Sequence, residues 1–123
     1  MKVLLAFYGD EKRREGRTRE DYQRVIDAWN AFDDAAREAG VMVACEALTT
    51  TPSATTVTIE GGRRRIADGP YMETKEQLGG FALLEVADLD EAMAWAERTP
   101  WNGDGCTTEI RPVMDYAAVV AAS

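Results

Sequence analysis

The chain has 123 residues, 46% of them hydrophobic, and a net charge of −8 from 14 basic and 22 acidic side chains. That length suits one folded domain over residues 1–123 with a single core, and no apolar run reaches the roughly 20 residues of a membrane helix. The acidic balance repels a phosphate backbone, so neither nucleic acid nor membrane is expected as a partner. Histidine is absent and the only cysteines are Cys45 and Cys106. The commonest general base is therefore missing, a structural zinc site has no ligand set, and a reduced, cytoplasmic protein is expected.

In chain order, residues 2–8, KVLLAFY, are an apolar run of strand length rather than a signal peptide. Lys12, Arg13, Arg14, Arg17 and Arg19 crowd the segment that follows. Such a run is solvated surface unless an anionic ligand meets it. Residues 18–39 are predicted to be a helix, with Thr18 as its cap, Asp21 completing a capping box and Gly40 as its stop. Tyr22, Val25, Ile26, Trp29, Phe32 and Ala36 recur at helical spacing as its buried stripe. Residues 41–48, VMVACEAL, read as a second strand in which Cys45 acts as a small apolar side chain.

TTVTIE-GG-RRRIA reads as a hairpin turning at Gly61-Gly62. That register sets Glu60 opposite Arg63 and Val57 opposite Ile66. A polar stretch, residues 67–80, ADGPYMETKEQLGG, comes next, and residues 81–86, FALLEV, form another strand. A second helix starts at a cap on Asp88 with Glu91. Its stripe is Leu89, Ala92, Met93 and Ala96, and Pro100 marks its end. CTTEIRPV, residues 106–113, is the last strand, and the tail YAAVVAAS packs as a short helix or frays. Without the hairpin, the order is the split βαβ pattern of an α+β, ferredoxin-like fold.

The strands are apolar on both sides. Val3, Leu5 and Phe7 point one way, Leu4, Ala6 and Tyr8 the other, and Phe81 and Leu83 oppose Ala82, Leu84 and Val86. Two helices can cover one face only, so a second copy of the chain is expected on the other, giving a homodimer.

Within the polar stretch, Asp68-Gly69-Pro70 has a plain reading as a turn held by the aspartate, and Gly79-Gly80 as a bulge or a close backbone approach. Yet Asp68, Tyr71, Glu73 and Lys75 also bring an acceptor, a phenol, a possible base and a cation together, which suits the rim of a pocket. Glu46, a carboxylate within an apolar strand and opposite in face to Val43 and Cys45, needs a partner, a proton or a cavity unless it reaches solvent at the strand end.

DGPYMETKEQLGGF closely resembles the signature of the DGPF-domain (DGPFAETKE-type) proteins of the YCII-related family, with Tyr71 in place of Phe and Met72 in place of Ala. LLAFYGDE at 4–11, CEAL at 45–48 and DLDEAMAWAER at 88–98 extend the likeness over nearly the whole chain. The resemblance implies a ferredoxin-like fold with an inserted β-hairpin, assembled as a dimeric α/β barrel. A relative in chlorinated-aromatic breakdown eliminates chloride with a histidine and an aspartate. This chain has no histidine, and Asp68 alone could stand in for the aspartate.

Asp68 and Glu73 are thus the candidate catalytic carboxylates. Tyr8, Glu46, Gly69, Pro70, Tyr71 and Lys75 are the candidate ligand-binding residues, for a small anionic or polar ligand. Three readings stay open: a small-molecule-binding or regulatory dimer, a histidine-independent lyase or hydrolase acting on a small acidic metabolite, and a motif that only stitches the hairpin down. No cofactor is expected, since flavin, haem and nicotinamide have no fingerprint. The spacing of Glu46, Asp68 and Glu73 demands no metal.

Overall fold

The computed structural model describes residues 1–123. Four strands build the main sheet: β1 (Lys2–Gly9), β2 (Met42–Ala47), and two that follow the hairpin, β5 (Gln77–Glu85) and β6 (Cys106–Pro112). The hairpin itself is β3 (Thr55–Glu60) and β4 (Arg63–Asp68). The main sheet runs β2-β5-β1-β6 with every neighbour antiparallel, the ferredoxin-like order expected from the split βαβ pattern, and β3-β4 form a separate two-stranded sheet. The helices are α1 (Arg19–Glu38), α2 (Leu89–Arg98) and a short terminal α3 (Tyr116–Ala122). No helix is long and apolar enough to cross a membrane.

Alternation in β1 and β5 decides which face becomes the core. Val3, Leu5 and Phe7 of β1 and Ala82 and Leu84 of β5 are buried against Phe32 and Ala36 of α1 and Ala92 and Trp95 of α2. The aromatic rings in this layer touch in series: Phe7 to Trp29 at 5.2 Å, Trp29 to Phe32 at 5.8 Å, and Phe32 to Trp95 at 6.1 Å between centroids. Leu4, Tyr8, Phe81 and Leu83 point away from this core and are half-buried in the single chain.

The local signals at the helix ends hold. The Thr18 hydroxyl accepts from the Asp21 amide at 3.1 Å, and the Asp21 carboxylate accepts from the Thr18 amide at 2.8 Å. Asp88 accepts from the Glu91 amide, but the Glu91 carboxylate reaches back to the Ala87 amide rather than to that of Asp88. Gly40 follows the end of α1 at φ +75°, a left-handed geometry that glycine adopts without strain.

Both helical stripes need correction. In α1, Phe32 and Ala36 are buried, Val25 and Trp29 are half-buried, and Tyr22 and Ile26 are exposed. The C-terminal half of α1 packs on the core cluster of β1, β5 and α2, whereas its first turns, at Tyr22 and Ile26, stand clear of that cluster. In α2 the buried side chains are Ala92 and Trp95, followed by Thr99 just beyond the helix, while Leu89 and Met93 are exposed. The large ring of Trp95 rotates the helix toward itself, edge-on to Phe32.

The hairpin register is as expected, with Val57 opposite Ile66 and Glu60 opposite Arg63. The Glu60 ion pair, however, is made with Arg65 at 2.7 Å. Val57, Ile59 and Ile66 share one hairpin face and are all exposed.

Candidate functional site

Because the first half of α1 stands off the end of the sheet, it leaves space beneath it. An open crevice of about 1400 Å³ lies between that half-helix, the segment after β1, the end of β2 and the loop around Trp101. Phe7, Tyr22, Val25, Ile26, Trp29 and Trp101 supply its apolar lining, and Lys12, Arg13, Arg14 and Arg17 come from the segment after β1. A site needs apolar walls with a few placed polar groups, and this crevice has both.

Its floor is set by glycines. Between Phe7 and Tyr8 the β1–β5 register slips by one residue, so that Phe7 faces Gly80 and Tyr8 faces Leu78, and Gly79 is the bulged residue. A Cβ at Gly80 would stand 2.7 Å from the Glu46 carbonyl oxygen. One at Gly79 would meet Arg14 at 3.0 Å and the Trp101 ring at 3.1 Å, and one at Gly9 would meet the same ring at 2.9 Å. The Trp101 indole lies in this bed and donates to the Tyr8 carbonyl at 2.9 Å. Both expectations for Gly79-Gly80, a bulge and a close approach, are met at once.

The segment after β1 is fastened by its own side chains. Arg14 donates to the carbonyls of Leu48 at 2.9 Å and Gly79 at 3.3 Å. Glu11 accepts from the Thr51 amide and hydroxyl, while the Glu11 amide donates to the Gln77 side chain at 2.9 Å. Arg13 lies over the Trp101 ring at 5.5 Å and donates to the Cys106 sulfur at 2.6 Å. Arg17 lies over the Tyr22 ring at 5.7 Å.

Charge within the crevice is arranged as much by hydrogen bonds as by ion pairs. The Thr18 amide and hydroxyl hold the Asp21 carboxyl below the usual aspartate range, with Arg24 and Arg17 adding to the effect. Asp33 pairs with Arg37 at 2.7 Å and raises that guanidinium further. Burial, followed by the nearby carboxylates of Asp33 and Glu46, pushes the Cys45 thiol up, so Cys45 stays a neutral side chain packed against the core.

The residues singled out in the sequence divide between two places. Glu46 lines the crevice, and its side chain is exposed. It shares a face with its cross-strand partner Phe81, while an irregularity between Met42 and Ala44 takes Val43 out of simple alternation. Tyr8 contributes through its carbonyl. Asp68, Pro70, Tyr71, Glu73 and Lys75 are exposed, and none of them lines the crevice. No ion pair joins Asp68 or Glu73 to Lys75, since the five ion pairs of the chain lie elsewhere.

The turn at Asp68 is also held differently from the expectation. The Gly69 amide donates to the Ala54 carbonyl at 2.7 Å, and the Thr56 hydroxyl donates to the Gly69 carbonyl at 2.8 Å, so backbone and threonine do what the aspartate was expected to do. Gly69 itself has φ +99°, a conformation that requires glycine.

Trp101 and Arg14 are the site residues that sequence reasoning did not find. Trp101 follows Pro100 in a glycine-containing loop that has no periodicity, and the basic run gave no sign of which side chain turns inward.

The YCII-related domain matches residues 1–117 of the chain. An uncharacterized protein of Rhizobium meliloti (strain 1021) is 34% identical over 117 residues, covering 94% of each chain.

Proposed function

We propose, from the premise that the chain belongs to the YCII-related family, that it is a small-molecule-binding homodimer whose site is the crevice under the overhanging half of α1. One observation carries this reading. A 20-residue amphipathic helix presents Tyr22, Val25 and Ile26 to an open crevice of about 1400 Å³ instead of packing them against the sheet. Apolar side chains kept half out of a core that could have been closed by a shorter helix are suited to a ligand.

The dimer accounts for the rest of the uncovered apolar surface. Leu4, Tyr8, Phe81 and Leu83 on the second sheet face, and Val57, Ile59 and Ile66 on the hairpin, have no core of their own chain against them. A partner sheet would bury the first set, and the hairpin would reach across the seam. In this reading Asp68, Tyr71, Glu73 and Lys75 belong to that seam rather than to the crevice.

Light scattering is expected to give twice the 13.6 kDa chain mass at micromolar concentration, and a mass of one chain would refute the dimer. For the crevice, phenylacetamide, a neutral aromatic probe, is expected to change tryptophan emission saturably. Ile26→Glu, at an exposed position on the wall, should weaken that change. An unaltered titration would place the probe elsewhere.

A further inference from the structure

Carboxylates outnumber cations 22 to 14 in this chain, yet Lys12, Arg13, Arg14 and Arg17 have no carboxylate partner among its ion pairs. Two of the acids beside them are committed to other donors. Asp10 accepts from the Lys12 amide at 2.9 Å, and Glu11 accepts from Thr51. The arginines are nonetheless held in place, by groups that do not cancel their charge. Arg14 rests on two carbonyls, Arg13 on the Trp101 ring and the Cys106 sulfur, and Arg17 on the Tyr22 ring. Asp21 lies near enough to Arg17 to be stabilised by it, but none of the three guanidinium groups is closed off by a direct ion pair, and a fixed guanidinium in that state is arranged for an oxyanion.

The geometry points to a carboxylate-binding subsite formed by Arg13, Arg14 and Arg17 at the edge of the crevice, for a ligand whose aromatic body lies along the half-buried rings of Trp101 and Trp29. This rests on the crevice being a binding site. A pit of about 10 Å³ sits between these three arginines and the bed of Gly9, Gly79 and Trp101, which is room for about one water-sized group; Asp10 and Glu11 also line it, with their carboxylates taken by the Lys12 amide and by Thr51. One carboxylate oxygen fits such a pit, and a planar carboxylate matches the guanidinium fork. Beside the pit, the buried Phe7 ring touches Trp101 at 6.0 Å and Trp29 at 5.2 Å, and so backs the two half-buried indoles against which an aromatic body can stack. The same arginines line both the pit and the larger crevice, so headgroup and body are served by one continuous surface.

The test is a tryptophan-emission titration of the full chain with phenylacetate, its neutral isostere phenylacetamide, and phenyl phosphate, using wild type, Arg17→Gln and Arg17→Lys. Phenylacetate is expected to bind at least about tenfold more tightly than phenylacetamide, the scale of a charge-assisted hydrogen bond. Arg17→Gln should shrink that preference, weakening phenylacetate more than the amide, and Arg17→Lys should restore part of it. Equal affinity for phenylacetate and phenylacetamide would overturn the oxyanion subsite and leave the crevice reading standing. No saturable binding by any of the three probes would overturn both. Tighter binding of phenyl phosphate than of phenylacetate would overturn the carboxylate assignment. The wild-type comparison of phenylacetate with its amide decides the matter even if the variants fold poorly.

Discussion

In the C-terminal half of α1, Phe32 and Ala36 are 5% and 0% exposed, whereas in its N-terminal half Tyr22 and Ile26 are 46% and 50% exposed. The apolar spacing is the same in both halves, and so is the regular helix. What differs is the surface beneath. The second half lies over β1, β5 and α2, while the first half lies over the crevice. A hydrophobic stripe therefore states that a face wants cover, and the packing of the neighbouring elements decides whether protein supplies it.

The sharpest break in this comparison is a matched pair of truncations. Phe32→Ala is expected to cost about 3–5 kcal/mol, as for a buried aromatic, and Ile26→Ala no more than about 0.5 kcal/mol, as for a surface position. Chemical denaturation reads both, and equal losses would show that the first half of α1 belongs to the core.

A smaller effect is expected at the crevice floor. Gly80→Ala drives a Cβ toward the Glu46 carbonyl oxygen, 2.7 Å away on a backbone that cannot swing aside. A loss of about 1–3 kcal/mol is expected, the usual cost of overpacking. Gly79→Ala meets Arg14 and Trp101 at 3.0 and 3.1 Å. It should disturb the emission of Trp101 more than it disturbs stability.

The capping box separates the two halves most gently. Thr18→Ala is expected to cost about 0.5–2 kcal/mol and to fray residues 19–28 before 29–38, as read by amide exchange. Acid should act on the same end. The folded Asp21 carboxyl lies below its ordinary 3.8 because the Thr18 amide and hydroxyl favour its charged form. The stability it contributes is complete above that ordinary value and is lost as pH falls through the lower folded value. Exchange at residues 19–28 should therefore rise below about pH 4 ahead of exchange at 29–38. Simultaneous release of both halves would argue against an independent overhang.

Much of the fold was legible in the sequence because its signals are local. The caps at Thr18 and Asp88, the stop at Gly40 and the turn at Gly61-Gly62 each depend on a few adjacent residues. The phase of α2 was not legible, since Ala92, Trp95 and Thr99 fit helical spacing about as well as Leu89, Ala92, Met93 and Ala96 do, and only packing against Phe32 chooses between them. The polar stretch was half legible. Gly79 and Gly80 floor the crevice as a bulge and a close approach, but β5 already begins at Gln77, so the last four residues of the stretch are strand rather than turn. The crevice itself was hidden because its parts, Gly79 and Gly80 among them, come from segments far apart in the chain. The arginine run, the first half of α1, the end of β2 and Trp101 meet only through the sheet order.

The most direct measurement of the central claim is a ¹H–¹⁵N spectrum of the full chain titrated with phenylacetate. The indole N–H signals of Trp29 and Trp101 and the amides of Arg17 and Ile26 are predicted to shift together along one saturable curve, while the Trp95 indole, packed against Phe32 and beneath Arg98, and the amides of residues 71–75 stay in place. Shifts gathered at residues 68–75, with the Trp29 and Trp101 indoles unmoved, would contradict the account and place the site on the hairpin arm.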